Sequence, residues 1–234
     1  MFKMSIKMKK ILFFALLSCQ FAAVYTQNAQ DYVQRANEGS AASQYNLGLC
    51  YEEGWGVSAD KKQAAYWYEK AAVQGQPKAQ YNLALLYFNG EGVEKDQSKA
   101  VYWYELAAQQ GVAGAMLNLG MCFKDGTGCV QDYSKAVKWL KKAYDNGSKE
   151  ASLSLGYCYF NGLGVNQNYT KAFKYWQQSA DDGMAEGQYN LGTCYENGMG
   201  VERDLIRAVY WYTQASLQGY QQATDRLKDT KALR

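Results

Sequence analysis

Apolar residues recur along this chain at helical rather than alternating spacing. Gln44, Leu47, Gly48 and Tyr51 fall at i, i+3, i+4 and i+7, which is one face of a helix. Ala64, Trp67, Tyr68 and Ala71 keep the same spacing shortly afterwards. Between the two segments lie Gly54 and Gly56, which tolerate the left-handed conformation that ends a helix. Asp60 follows, where a side-chain oxygen can accept from the free N–H groups of the next helix. The pattern predicts a helix, a glycine turn and a second helix closed by Gly75.

The pattern then repeats at constant length. Gly39, Gly75, Gly111, Gly147, Gly183 and Gly219 are each 36 residues apart, and so are Leu47, Leu83, Leu119, Leu155, Leu191 and Leu227. Capping residues keep the interval as Asp60, Asp96, Asp132, Asn168 and Asp204. No insertion or deletion interrupts five units, at 40–75, 76–111, 112–147, 148–183 and 184–219. One such hairpin cannot bury its own apolar face, whereas stacked neighbours can. The expected fold is therefore all-α, a right-handed α-solenoid of five helix-turn-helix repeats with half-repeat helices at both ends. Residues 27–39 match the end of a second helix, through Tyr32, Ala36 and Gly39. Residues 220–234 match a first helix through Ala223 and Leu227, with Lys228 in place of the small residue and a polar surface suited to a terminal cap.

Composition narrows the chemistry. The chain has no histidine, which removes Ser-His-Asp and Cys-His nucleophile systems and imidazole metal sites. The formal charge of +3 is uneven, because Lys3, Lys7, Lys9 and Lys10 all precede the first acid, Asp31. The rest of the chain holds 21 bases against 22 acids, a net of −1, so it offers no electrostatic footprint for nucleic acid. No catalytic residue, metal site or cofactor is expected.

The same lysines open a leader. They are followed by the apolar run Ile11–Leu17 and then by small residues, the order found in a secretory signal peptide over 1–26. Two processing routes are open: cleavage after Thr26, releasing a chain that starts at Gln27, or lipidation of Cys19 within Leu16-Leu17-Ser18-Cys19, which resembles a bacterial lipobox. Either route places the protein outside the cytoplasm, periplasmic or secreted, or in the endoplasmic reticulum lumen of a eukaryote. Membrane contact is expected only through such a lipid anchor.

With the repeat laid out, the segment from Gln44 to Gly75, QYNLGLCYEEGWGVSADKKQAAYWYEKAAVQG, resembles the Sel-1-like repeat family, relatives of tetratricopeptide repeats. The shared pattern is Tyr-Asn-Leu-Gly, an aromatic three residues on, Gly-x-Gly-Val, then Asp, Lys-Ala, Trp-Tyr, Ala-Ala and Gly. Ala84, Cys129, Leu140 and Ser154 depart from it. The resemblance implies a non-enzymatic scaffold that binds a protein or peptide along its concave face, lined by the first helices. It points to the asparagine before Leu-Gly as a peptide-binding residue, here Asn46, Asn82, Asn118 and Asn190. The neighbouring candidates on that face are Tyr45, Leu49, Tyr81 and Leu85 in the early repeats, and Met121, Tyr157, Tyr189 and Thr193 in the later ones. The alternative is that these asparagines serve the repeat itself, bonding an adjacent loop or helix.

Cys50, Cys122, Cys158 and Cys194 share one repeat position, where Leu86 also stands, as expected for a small buried apolar site. Cys129 lies in a loop seven residues after Cys122, and a Cys122–Cys129 disulfide is a candidate in an oxidising compartment. Cysteine-rich relatives described as penicillin-binding, with weak β-lactamase activity, supply the alternative function. Ser58-Ala59-Asp60-Lys61 matches Ser-x-x-Lys, but the Ser-Asp-Asn and Lys-Thr-Gly elements that accompany it are absent.

Overall fold

The structure, a computed structural model, describes residues 29–232. The leader expected over 1–26, with Cys19, lies outside these residues. Helix α1 spans 29–37. It is followed by α2 (Ala41–Glu53), α3 (Lys61–Val73), α4 (Pro77–Asn89), α5 (Gln97–Gln109), α6 (Ala113–Asp125) and α7 (Tyr133–Asp145). The chain continues with α8 (Glu150–Asn161), α9 (Tyr169–Asp181), α10 (Ala185–Asn197), α11 (Leu205–Leu217) and α12 (Gln221–Ala232). No strand occurs among the described residues. The described chain forms two compact units divided after Gln110, the first holding α1–α5 and the second α6–α12.

The helix boundaries follow from local chemistry. Asp60, Asp96, Asp132, Asn168 and Asp204 are extended N-caps whose side chains accept from backbone N–H groups at 2.8–3.2 Å. Losing one such cap costs about 1 kcal/mol. Gly54 closes α2 at φ 75°, with its N–H on the Cys50 carbonyl. The turn is then pinned by a second bond, from the Asp60 N–H to the Tyr51 carbonyl at 2.8 Å, and the same bond recurs in every repeat. Each hairpin is thus set by residues within 20 positions of one another, which is why the interval survives so regularly.

In the first unit, α2 packs on α3, α3 on α4 and α4 on α5. Tyr68, Ala64, Ala71, Leu83 and Leu86 form the buried core between them. Tyr68 is fully buried because α2 offers no side chain at the crossing: a Cβ on Gly48 would stand 2.5 Å from the tyrosine ring. In the second unit, α6 packs on α7, α8 on α9 and α10 on α11, and α12 covers the end of α11. Tyr212, Leu191, Ala208 and Ala215 repeat the same core there. Cys50, Cys122, Cys158, Cys194 and Leu86 are all buried, as their shared position implies.

Buried glutamines tie one hairpin to the next. Gln44 donates to the Ala36 carbonyl at 3.0 Å and accepts from Gln74 at 2.6 Å. Gln80 donates to Ala72 and accepts from Gln110, and Gln188 stands in the same relation to Ala180 and Gln218. Met116 and Ser152 occupy this position in the two intervening repeats. There Asn146 turns its amide to the Met116 sulfur at 3.8 Å, and Ser152 donates instead to the Lys149 carbonyl at 2.6 Å.

Candidate functional site

The second helix of a repeat carries a tyrosine whose hydroxyl reaches past its partner helix. In the first repeat, Tyr68 donates to Glu52 at 2.6 Å, and Asn82 of the next repeat donates to the Tyr68 hydroxyl. Lys61 joins Glu52 at 2.8 Å and Glu91 at 3.1 Å. In the last repeat, Tyr212 donates to Glu196 at 2.6 Å and Thr193 lies 3.2 Å from its hydroxyl. Arg226, which stands where Asn82 does, bonds Glu196 at 2.7 Å. Burial, followed by the hydrogen bond to the glutamate, drives the Tyr68 and Tyr212 hydroxyls well above the ordinary tyrosine pKa. Both clusters hold their donors and acceptors in closed sets.

Between them the set is broken. Lys124 stands at the Glu52 position, Leu140 at the Tyr68 position and Ser154 at the Asn82 position. One repeat later the same places hold Phe160, Trp176 and Asn190. The Trp176 indole N–H, a donor only, is buried without a hydrogen-bond partner.

A recess of about 450 Å³ opens here. Met121, Lys124 and Asp125 come from α6, Leu153, Ser154 and Tyr157 from α8, and Glu186 and Asn190 from α10. Gln131, in the loop before α7, and Tyr133, the first residue of α7, close one side. Met121, Leu153 and Ser154 are half-buried, while Tyr157 is 51% exposed and presents its ring to solvent. Ser154 donates to the Met121 sulfur at 3.3 Å. Gln131 donates to the Lys124 carbonyl at 2.8 Å and to the Tyr133 hydroxyl at 3.0 Å, which fixes the rim. The Lys124 ammonium sits 3.5 Å from Asp125, and its charge opposes the upward push of burial on the Cys158 thiol.

Of the residues that sequence pattern marks as peptide-binding, the recess brings together Met121, Tyr157 and Asn190. The others have local duties. Tyr45 and Leu49 pack against the Tyr68 core, and Tyr81 lies 6.0 Å from Tyr104. Asn82 bonds Tyr68, a contact within the repeat stack. Asn46, Leu85 and Asn118 are half-buried on α2, α4 and α6. Tyr189 lies between Tyr212 and Tyr220 at 5.6 and 5.3 Å, and Thr193 bonds back to the Tyr189 carbonyl. Lys124, Asp125, Gln131, Tyr133, Leu153, Ser154 and Glu186 were not marked as binding residues. Ser154 carries a signal in the sequence, since it interrupts the asparagine series, whereas the Lys124 position varies, with Glu52, Phe88, Phe160 and Glu196 as its equivalents.

Cys122 and Cys129 are free thiols in the structure. Burial, together with the field of Cys129, raises the Cys122 thiol to about 12. Ser58 is exposed in the turn before the Asp60 cap. Lys61, its Ser-x-x-Lys partner, is held as a cation by Glu52 and Glu91, which leaves it unsuited to act as a base toward Ser58. Among the described residues no group of acidic or thiol side chains is arranged to hold a metal ion, and no helix is long and apolar enough to cross a membrane.

The Sel1 repeat matches this chain five times in succession, at residues 41–76, 77–112, 113–148, 149–184 and 185–220. The chain belongs to the Sel1-repeat family. Its fold is the helical solenoid of that family, whose members in general serve as scaffolds for protein–protein contacts. Among solved structures, a protective antigen of uropathogenic Escherichia coli with this repeat fold is 37% identical, with a TM-score of 0.78 over 84% of the present chain. The present chain spans only 42% of that antigen's length. A Sel1 repeat protein from Oxalobacter formigenes is 32% identical, with a TM-score of 0.74 over 86% of each chain. No curated protein matches the sequence.

Proposed function

We propose that this Sel1-repeat chain is an exported, non-enzymatic scaffold that holds a partner protein or peptide on its first helices. The contact centres on the recess of α6, α8 and α10. The observation that carries this reading is the recess itself: three successive first helices present polar, apolar and aromatic side chains together where the repeat's internal polar cluster is missing. Tyr157 supplies an exposed ring, Met121 and Leu153 an adaptable apolar wall, and Asn190 an amide suited to peptide backbone. Export is supported by the basic and apolar leader and by the likeness to a protein described as a protective antigen.

Affinity capture from native extract after chemical cross-linking tests the reading. Wild-type protein retains its partner, and a Tyr157→Ala, Asn190→Ala double variant loses it. Equal recovery by both proteins removes the recess from the contact. Intact-mass analysis of the native N-terminus tests export, with a start at Gln27 or a diacylglycerol-modified Cys19 expected and an intact leader counting against it.

A further inference from the structure

We propose that the recess on α6, α8 and α10 binds a carboxylate group of its ligand. This rests on the scaffold reading and names the chemical group that the site selects. In the two closed clusters every donor ends on an acceptor within the protein: Asn82 on the Tyr68 hydroxyl, Tyr68 on Glu52, Lys61 on Glu52 and Glu91, and Arg226 on Glu196. At the recess those acceptors are gone, because Leu140 and Trp176 have no hydroxyl and Lys124 replaces the glutamate.

The donors remain. The Ser154 hydroxyl is left with the Met121 thioether at 3.3 Å, a weak acceptor. The Asn190 amide has no hydrogen-bond partner among the described residues. The Lys124 side chain is only 20% exposed, and its one ion pair is with Asp125 at 3.5 Å, a carboxylate 52% exposed on the rim. A solvated pair of that length offsets little of the ammonium's charge.

A half-buried cation and two neutral donors with unmatched capacity require a group that only accepts. A carboxylate offers two oxygens and no proton, and its hydrogen bond to an ammonium is charge-assisted. The rim limits the charge. Asp125 and Glu186 set two acids at the mouth against one cation inside, which opposes a dianion such as a phosphate monoester more strongly than a monoanion. Met121, Leu153 and the Tyr157 ring are placed to cover the methylene or backbone next to the bound group.

The experiment is an NMR titration of the full ¹⁵N-labelled chain at constant ionic strength, following the Asn190 side-chain amide. Three probes are used: N-acetyl-alanyl-alanine, with a terminal carboxylate; N-acetyl-alanyl-glutamyl-alaninamide, with a side-chain carboxylate; and N-acetyl-alanyl-alaninamide, with neither. A saturable shift of Asn190 by a carboxylate probe, at least tenfold weaker for the neutral amide, is expected. Which carboxylate probe acts identifies the source, a chain terminus or an acidic side chain. Lys124→Glu restores the residue that the closed clusters carry and should abolish the shift, as should Lys124→Gln, which keeps the side chain's length and removes its charge. The inference fails if the neutral amide binds as well as the acids, if neither acid moves Asn190, or if both Lys124 variants respond like wild type. Partner capture that depends on Tyr157 while Asn190 ignores carboxylate would overturn this inference and leave the scaffold reading standing.

Discussion

The Gln110 amide donates to Gln80 Oε1 at 2.8 Å, across 30 residues, from the end of one hairpin to the start of its first helix. Gln80 is 4% exposed and passes the connection on to the Ala72 carbonyl at 3.1 Å. Stacking is therefore held by a buried polar relay as well as by apolar contact. Gln80→Ala leaves the Ala72 carbonyl and the Gln110 amide without this partner and should destabilise the protein by about 2 kcal/mol. Urea denaturation measures the loss, and an unchanged midpoint would show that the relay is replaceable by water.

Tyr68→Phe removes the hydroxyl shared by Glu52 and Asn82 and should cost about 2 kcal/mol, because the bond to Glu52 is charge-assisted. The same hydroxyl makes stability depend on alkaline pH. Its pKa in the folded state is raised above the ordinary 10.0, so the folded form keeps a proton that the unfolded form releases. Stability is complete below pH 10 and falls above it, by up to about 1.4 kcal/mol per pH unit for each tyrosine of this kind. Tyr212 adds a second. Urea midpoints between pH 9 and 11 should fall less steeply in the Tyr68→Phe, Tyr212→Phe double variant than in wild type.

Cys50, Cys122, Cys158 and Cys194 are buried thiols whose pKa values are raised chiefly by burial, to about 12 for Cys122 and Cys194. Cys129 is only half-buried. In the reduced chain starting at Gln27, a thiol-specific disulfide reagent at pH 8 should therefore modify Cys129 first, with the other four reacting only on unfolding. Oxidation with diamide tests the Cys122–Cys129 bond. Closure would remove the mass of two hydrogens and the reactivity of Cys129 together; an unchanged mass shows that the loop does not bring the two sulfurs into bonding geometry.

Gly192→Ala should destabilise by about 2 kcal/mol, although alanine is the better helix former, because its Cβ would stand 2.8 Å from the Tyr212 ring. Ala84 occupies the equivalent position in the second repeat and is fully buried there, so that repeat accommodates a methyl group at this crossing. Thermal melting of Gly192→Ala beside Ala84→Gly checks both halves of the comparison, with the first expected to fall and the second to show no gain.

The fold was legible because its determinants are close in sequence and recur. Asp60 and Gly54 set their helix ends with bonds to residues a few positions away, and each is repeated five times, so one reading serves every unit. The site was legible only in part. Met121, Tyr157 and Asn190 were found through their place on the first helices, a property of position. Lys124 and Ser154 matter through what they fail to be, and that becomes visible only once Glu52, Tyr68 and Asn82 are seen to touch. Glu52 and Tyr68 belong to one repeat while Asn82 belongs to the next, so no single repeat read in isolation contains the cluster. The glutamine relay escaped for another reason: Gln80 and Gln110 share one repeat but stand 30 residues apart, and neither is unusual alone.

The claim that the first helices of the later repeats are the working surface is tested most directly by site-specific photo-cross-linking in the native compartment. A benzophenone amino acid is placed at Tyr157 in the recess and, in a second protein, at Lys174, an exposed residue on α9, which contributes nothing to the recess lining. The account predicts a discrete protein or peptide adduct from position 157 and none from position 174. An adduct from 174 with none from 157 would contradict it.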